Sequence, residues 1–447
     1  MSDDGLTLFA PASGFGRAAV SVMRISGPAS GPLIEALGRS RPPARRLALR
    51  ALRDPADGTL LDRALVVFMP GPDTFTGEDM AELHLHGGLA VRQAVFRALA
   101  AFPGCRPALP GEFARRAVLN GRIGLTEAEG IADLVDAETE AQRRQALRQL
   151  DGALARQVDL WRDEALDCLA GAEAALDFSD EGDVDDQGLD RVVQARTRAL
   201  HQAVTAVLAD ERAGERLRDG FVVVLAGPPN AGKSTLLNTL SRRDAAIVSP
   251  IPGTTRDSIE VRCDLRGLPV VLIDTAGLRE SDDAIEAEGI ARTRRQMRQA
   301  DLVLCLIPAD DPADPPDDLP AGSLVIRTKG DLEAPSADGG SGGASSAELT
   351  ISAVSGAGIA ALLRLVHERA RSAFGAGDAL VTRERHREAL ERCAAHLARA
   401  GQADQRTPPE LICEDLRLAV RALGEIGGHV GVDDVLDRLF SGFCIGK

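Results

Sequence analysis

Lysine is almost missing from this chain. Of its 52 Lys plus Arg residues only three are Lys, at 233, 329 and 447. A surface built from Arg keeps Lys mainly where a compact, strongly hydrated ammonium does something a planar guanidinium cannot, so these positions are marked for function. Tyrosine is absent, Trp occurs once and aromatics make up 3%, so Ala, Leu and Val must fill the cores. The seven Cys, at 105, 168, 263, 305, 393, 413 and 444, include no Cys-x-x-Cys pair. That odd, scattered set fits neither a disulfide framework nor a zinc ribbon and reads as a reducing cytosol. No apolar run approaches the ~18 residues of a membrane span. The opening MSDDGLTLFA lacks the basic start and apolar stretch of a targeting segment, so a cytoplasmic protein without a membrane segment is expected. The formal charge of −15 disfavours nucleic-acid binding by the whole surface, leaving any RNA contact local or made through a partner.

What is present is length and ordinary globular composition. With 447 residues, 44% hydrophobic and 27% charged, the chain calls for two or three domains. Residues 1–118 alternate short β-like runs with Gly and Pro, as in Ala19–Gly27, Arg63–Gly71 and Met80–Gly88, which reads as a small α+β domain. Residues 119–215 turn helical, with Leu147, Leu150, Leu154 and Val158 at helical spacing and a capping-box pattern, TEAE, at Thr126–Glu129. The acidic run Asp177–Asp186 lacks calcium-loop spacing and reads as a solvated turn. A buried strand, Phe221–Gly227, opens an α/β domain over 216–375 that carries low-complexity loops at 308–322 and 334–348. Helical periodicity returns over 376–447, so the α/β domain is inserted in a helical one whose halves cover each other's apolar faces.

The densest chemistry is GPPNAGKST, Gly227–Thr235, a match to G-x-x-x-x-G-K-[ST] between a buried strand and an amphipathic run. Such a loop turns backbone N–H groups, here those of Asn230, Ala231, Gly232 and Thr235 among them, towards nucleotide phosphates. Lys233 reaches the β/γ-phosphates and Ser234 ligates Mg²⁺. A chance Gly-rich turn is the plain alternative, but partners follow in order. DTAG (Asp274, Thr275, Ala276, Gly277) ends a second strand, where the Asp can hold a Mg²⁺-bound water and the Gly N–H can sense the γ-phosphate. TKGD, Thr328–Asp331, ends a third and includes Lys329. Asp331 can accept from the N1 and N2 hydrogens of guanine, a donor pair adenine lacks. Ser352 and Ala353 are small enough for backbone amides to approach the base oxygen. Together these look like a Ras-like P-loop GTPase domain that takes GTP. Thr328 stands where that family usually has Asn. Leu278 stands where a Gln orients water, and an alkyl chain cannot do that.

GTTRD, Gly253–Asp257, resembles the switch of the TrmE–Era–Obg class of GTPases, which implies that Thr255 closes over Mg²⁺ and the γ-phosphate. Asn230 matches the position at which members of that class bind potassium, and the resemblance adds Ser249, Ile251 and Thr254 to the ion's surroundings. A loop-stabilising Asn is the other reading of Asn230. From end to end the chain resembles the MnmE (TrmE) family of tRNA modification GTPases, through Thr74–Gly88, Leu109–Thr139, Asp274–Ile290 and the terminal FCIGK, Phe443–Lys447. The resemblance implies a multidomain α/β protein: an N-terminal α+β folate-binding-like and dimerisation domain, an all-α helical domain, and a Ras-like P-loop GTPase domain inserted in the helical one. It implies a homodimer whose G domains meet around potassium, with Glu286 positioning water indirectly and Arg256 and Arg279 in the two switches. It further implies an FAD-dependent partner, with FAD in the partner only, that forms a heterotetramer with this chain. Together they would build an aminomethyl or carboxymethylaminomethyl group at C5 of the wobble uridine of certain tRNAs.

The one-carbon unit is implied to come from a tetrahydrofolate derivative, 5,10-methylene or 5-formyl, with Arg24, Glu78 and Arg122 at folate-contacting positions. Arg122 replaces a common Lys, and Ala18 and Ala19 replace frequent Gly. In the family the FCIGK tail reaches this site, which would make Cys444 a nucleophile or acid/base partner and Lys447 a cation for folate. A frayed end is the plain alternative. His84 and His86 alternate on one strand face without further ligands and read as structural. The Arg group from Arg39 to Arg53 is either a local RNA contact or a solvated helix face. A ribosome-assembly GTPase of the Era-like class is the competing function, and a signalling switch a third. No KH-type Gly-x-x-Gly with the expected flanks accompanies the G domain.

Overall fold

The computed structural model describes residues 5–14, 16–177, 186–209, 212–241, 259–274, 294–311, 314–316, 318–332, 349–375, 379–403, 406–428, 436, 440, 442–443 and 446. The chain divides into two compact units, Met1–Ala132 with Leu150–Asp163 and Val420–Lys447, and Asp133–Gln149 with Glu164–Ala419.

The first unit is built on alternation. β1 (Thr7–Pro11) and β2 (Ala18–Ser26) lead into α1 (Ser30–Gly38), followed by β3 (Ala48–Arg53), β4 (Leu60–Met69), β5 (Met80–Gly87), α2 (Leu89–Ala100) and β6 (Cys105–Pro107). The strands form one sheet in the order β3-β4-β5-β2-β1-β6, antiparallel except for β1 beside β6. Met23 and Ile25 of β2, Val66 of β4 and Leu83 of β5 point into a core shared with Leu33 and Leu37 of α1 and Val95 and Leu99 of α2. The intervening residues face the other way, and there Arg24 lies opposite Glu82 and Val22 opposite His84. The strands expected from the sequence are β2, β4 and β5, with ends displaced by at most three residues.

α3 (Glu112–Leu119) and α4 (Leu125–Asp136) complete this part of the chain. Their Ala114, Leu125, Ala128 and Ala132 form a second apolar cluster with Leu436, Phe440 and Phe443, whose two Phe rings meet edge to face at 5.0 Å. The capping box expected at Thr126–Glu129 is not what starts α4. Thr126 already lies inside the helix with its hydroxyl buried and unpaired, and the cap bond runs from Gly124 N–H to Glu127 Oε2 at 2.8 Å. The helix begins two residues earlier than a Thr126 cap would set it, because Leu125 is itself a core residue. Nor is Arg39–Arg53 a helix face. Arg41 pairs with Glu35 and lies over the Phe68 ring at 4.7 Å, Arg45 donates to the Asp73 carbonyl, and Arg50 and Arg53 belong to β3.

The second unit joins helices to a parallel sheet, with the helical residues 150–163 and 420–427 belonging to the first unit. α5 (Glu140–Leu150), α6 (Ala153–Asp177), α7 (Asp186–Leu208) and α8 (Ala213–Asp219) precede β7 (Phe221–Ala226), α9 (Lys233–Ser241), β8 (Ile259–Leu265), β9 (Leu268–Asp274), β10 (Leu302–Pro308), β11 (Leu324–Thr328), β12 (Leu349–Thr350) and α10 (Ile359–Phe374). α11 (Glu384–Gln402) and α12 (Pro409–Gly427) follow. The sheet order is β12-β11-β10-β7-β9-β8, parallel except for the β8–β9 hairpin. β7 and β10 read as near-continuous Val and Leu because helices cover both faces of such a sheet. Below the phosphate loop, Val223, Leu225, Leu236, Leu304 and Ile326 pack with Leu362 and Phe374 of α10.

Two carboxylates hold the helices to the chain that leads into and out of this sheet. Asp133 Oδ1 accepts from Arg218 of α8 at 2.9 Å and from Arg383, just before α11, at 2.6 Å. The buried Glu215 pairs with Arg387 at 2.8 Å. α7 and α11 are further joined by Arg198 Nε donating to Gly401 O at 2.6 Å. The acidic run at 178–185 and the loop at 333–348 lie outside the described residues.

Candidate functional site

The parallel strands of the second unit end on one edge of the sheet, where open α/β sheets bind their ligands. β7 stops at Ala226, and Gly227 turns the chain with φ 136°. A Cβ there would lie 2.3 Å from Leu306 O, so the turn admits only glycine. Asn230 holds φ 63°, a left-handed conformation that Asn tolerates better than most residues. α9 then starts at Lys233, its first N–H groups and positive dipole end directed at the loop.

Lys233 is folded back over this loop. Its Nζ donates to Gly227 O and Pro228 O, both at 2.8 Å. Burial pushes the ammonium below the ordinary lysine range, and the Asp274 carboxylate opposes part of that shift. Phosphate oxygens would offer the same ammonium stronger, charged acceptors. Beside it, Ser234 Oγ donates to Asp274 Oδ2 at 2.6 Å. Asp274 ends β9 and is 1% exposed. A hydroxyl and a carboxylate already brought together are hard oxygen donors of the kind Mg²⁺ accepts, so this pair fits the ion.

The far end of this edge is assembled from β11 and the turn after β12. Thr328 is buried and its hydroxyl donates to Ala231 O in the phosphate loop at 2.7 Å. Lys329 has φ 57° and places Nζ 2.8 Å from Asp310 Oδ2. Gly330 N–H donates to Ile351 O at 3.0 Å, which sets the TKGD segment against the Ser352–Ala353 turn, while Asp331 is left exposed. Thr239 of α9 reaches Ala353 O at 3.3 Å. Asn230, Ala231, Gly232, Lys233, Ser234, Thr235, Asp274, Lys329, Asp331, Ser352 and Ala353 thus belong to one edge of one sheet. Ser249, Ile251, Thr254, Thr255, Arg256, Thr275, Ala276, Gly277, Arg279 and Glu286 lie outside the described residues. Thr328 and Asp310 were not singled out as site residues by sequence. Thr328 carried a signal, as the one unusual residue in its motif, whereas Asp310 carried none.

The first unit holds a separate constellation around the loop Asp73–Asp79. Glu78 accepts from Arg116 Nη1 at both oxygens, 3.1 and 3.0 Å, and from Ser26 Oγ at 2.6 Å. Arg122 Nε donates to Thr74 O at 3.1 Å and its Nη2 to Asp73 Oδ1 at 3.2 Å. Arg24 meets Glu82 Oε1 at 3.3 Å and lies over the Phe75 ring at 5.9 Å. All three candidates therefore border one loop, and each already has a protein partner. Gly446 is buried beside them. Its carbonyl lies 3.5 Å from Arg24 Nη1, and with φ 100° a Cβ would stand 2.1 Å from Pro11 O. Cys444 and Lys447 lie outside the described residues. Sequence reasoning missed Arg116 and Glu82. Arg116 sits three residues after Phe113 on the buried stripe of α3, and a cation on a core-facing stripe requires a buried partner.

Among the described residues no group of three or more His, Cys, Asp or Glu is placed to hold a metal. His86 instead bonds Asp62 through its backbone N–H and Nδ1, at 2.9 and 2.7 Å. Among the described residues no helix is long and apolar enough to cross a membrane.

A phosphate loop between a buried strand and a helix N-terminus, at one edge of a mainly parallel sheet, defines a P-loop GTPase. Residues 7–122 match the family described as the GTP-binding protein TrmE N-terminus, and residues 125–444 match the MnmE helical domain. The tRNA modification GTPase MnmE of Methylorubrum populi is 68% identical over 441 residues, spanning 99% of this chain and 98% of that protein. The proteins of the same name from Methylobacterium radiotolerans and Azorhizobium caulinodans are 65% and 52% identical, each match spanning 99% of both chains. The chain belongs to the tRNA modification GTPase MnmE family.

Proposed function

We propose that this chain uses GTP hydrolysis to drive modification of C5 of the wobble uridine in certain tRNAs, adding an aminomethyl or carboxymethylaminomethyl group whose one-carbon unit comes from a tetrahydrofolate derivative. The protein works in the cytoplasm as a homodimer, in a heterotetramer with an FAD-dependent partner. Its four segments, 1–118, 119–215, 216–375 and 376–447, are a folate-binding and dimerisation domain, two parts of a helical domain, and the GTPase domain between them.

In the GTPase domain Lys233 and the loop N–H groups bind the phosphates, and Ser234, Thr255 and a water on Asp274 hold Mg²⁺, which offsets their charge. Asp331 selects guanine. Potassium, taken by Asn230 with Ser249, Ile251 and Thr254, supplies the positive charge otherwise delivered by an arginine finger. Glu286 positions water, and Arg256 and Arg279 act from the switches. In the N-terminal domain Arg24, Arg122 and Lys447 meet the acidic folate, Glu78 meets the pterin edge, and Cys444 stands beside the one-carbon unit.

The observation that carries the folate reading is Gly446. A terminus that merely frays does not need a glycine wedged against Pro11 O with its carbonyl turned to Arg24. The test is the modified-nucleoside profile, by mass spectrometry, of tRNA from cells lacking this protein and supplied with the full chain or with one ending at Phe443. Restoration by the full chain alone, with equal GTP hydrolysis by both, supports the reading. Equal restoration by the shortened chain overturns the role of the tail.

A further inference from the structure

Thr328 departs from the residue usual at its position, and its contacts give the departure a physical content. It ends β11 at 4% exposure. Its hydroxyl donates to Ala231 O in the phosphate loop at 2.7 Å, and the other acceptor near it, Ile307 O, is 3.5 Å away. A hydroxyl has a single proton to give, and both groups facing it are backbone carbonyls. An Asn amide carries two N–H donors and can serve a loop carbonyl and a base acceptor together.

Guanine presents two kinds of group along its edge. The N1 and N2 hydrogens suit Asp331, which only accepts when ionised. O6 and N7 are acceptors and need donors. In the small Ser352–Ala353 turn the Ser352 N–H already donates to Ala357 O at 2.9 Å, so O6 falls to the N–H of Ala353. N7 follows O6 around the ring, on the imidazole side that leads back to the sugar and the phosphates. That is the side on which the Thr328 hydroxyl is tied to Ala231. Lys329 Nζ lies 2.8 Å from Asp310 Oδ2, which turns its ammonium towards that carboxylate.

We propose that this GTPase recognises guanine without a side-chain donor to N7, and that Thr328 serves instead to tie the end of β11 to the phosphate loop. The inference rests on Asp331 reading N1 and N2. It marks Thr328 as a specificity-determining position at which this chain gives up one base contact and keeps the loop tether.

The experiment measures equilibrium binding of GDP, 7-deaza-GDP and IDP to the full chain by competition with a fluorescent guanine nucleotide. The native chain is expected to bind 7-deaza-GDP within about twofold of GDP, and Thr328→Asn to prefer GDP by about fivefold, the scale of one neutral hydrogen bond. Thr328→Val keeps the shape and loses the hydroxyl, so it should weaken GDP and 7-deaza-GDP by one common factor. A native chain that already loses fivefold or more, on the order of one such bond, with 7-deaza-GDP overturns the proposal. So does a Thr328→Asn chain that folds, binds GDP and shows no preference, or a Thr328→Val chain whose ratio changes. IDP, which lacks the N2 amine, should bind about tenfold more weakly, on the scale of a hydrogen bond to a charged group. Binding of IDP equal to GDP shows that Asp331 does not read the base, and the proposal falls with that reading rather than through N7.

Discussion

The Ser234 hydroxyl donates a 2.6 Å hydrogen bond to Asp274 Oδ2, joining the first turn of α9 to the end of β9. The two oxygens come from segments 40 residues apart, and each is a hard donor. If this pair is where Mg²⁺ is held, Ser234→Ala should lower GTP turnover by at least about a hundredfold, since several kcal/mol of charge stabilisation is withdrawn. The same variant should need more Mg²⁺ for half-maximal turnover. Turnover as a function of Mg²⁺ concentration checks this, and an unchanged curve would remove Ser234 from the metal site.

Arg116 and Glu78 should behave as one unit. Among the described residues, Arg116→Met leaves the carboxylate with the Ser26 hydroxyl alone, and breaking a buried pair from one side costs about 3–5 kcal/mol. The lower end of that range is expected, because the Glu78 side chain keeps 20% exposure. Adding Glu78→Gln should recover much of the loss, since the uncompensated charge is then gone. Trp161, the sole Trp, is buried in the same unit, so its fluorescence during urea unfolding reports the right transition. Strictly additive effects would show that the two side chains are not coupled.

The phosphate loop was readable in the sequence because a turn of this kind constrains backbone geometry within one short segment. Gly227 against Leu306 O and Lys233 at the helix start are local necessities that leave a local pattern. The N-terminal constellation left no such pattern. Its bonds join residues far apart, Ser26 with Glu78 across 52 positions and Arg24 with Glu82 across 58, and only the register of β2 on β5 brings the second pair together. Arg24, Glu78 and Arg122 therefore came from family resemblance, and their protein partners from the structure. The capping box failed for a related reason. TEAE has the right spacing, but Leu125 is drawn into the core and starts the helix early, leaving Gly124 at the cap.

The described cysteines should be poor nucleophiles. Burial pushes the thiols of Cys105 and Cys263 up to about 11 and that of Cys393 up to about 12, and it also raises Cys168, Cys305 and Cys413. A raised thiol pKa means less thiolate at neutral pH, and the thiolate is the reacting form. Brief alkylation of the native protein at pH 7.5, followed by peptide mass mapping, is therefore expected to leave these six unmodified. Cys444 remains as the candidate for early labelling, as its proposed role beside the one-carbon unit requires. Rapid labelling at Cys393 or Cys263 would contradict the burial argument, and a Cys444 that labels no faster than the six would count against a nucleophilic tail.

Asn230 has two possible reasons to be where it is, and one substitution separates them. Its φ of 63° is a conformation that favours Asn, so a purely structural role is sufficient to explain the residue. Glycine adopts the same conformation without cost and carries no side-chain oxygen. Asn230→Gly should therefore preserve the loop and remove only the amide. In the native chain GTP turnover is expected to fall when sodium replaces potassium at equal ionic strength. If the amide oxygen ligates potassium, Asn230→Gly should turn over GTP slowly in both salts, with nucleotide affinity little changed. If the residue only shapes the loop, the variant should keep the full potassium advantage, and the potassium must then be held by other groups.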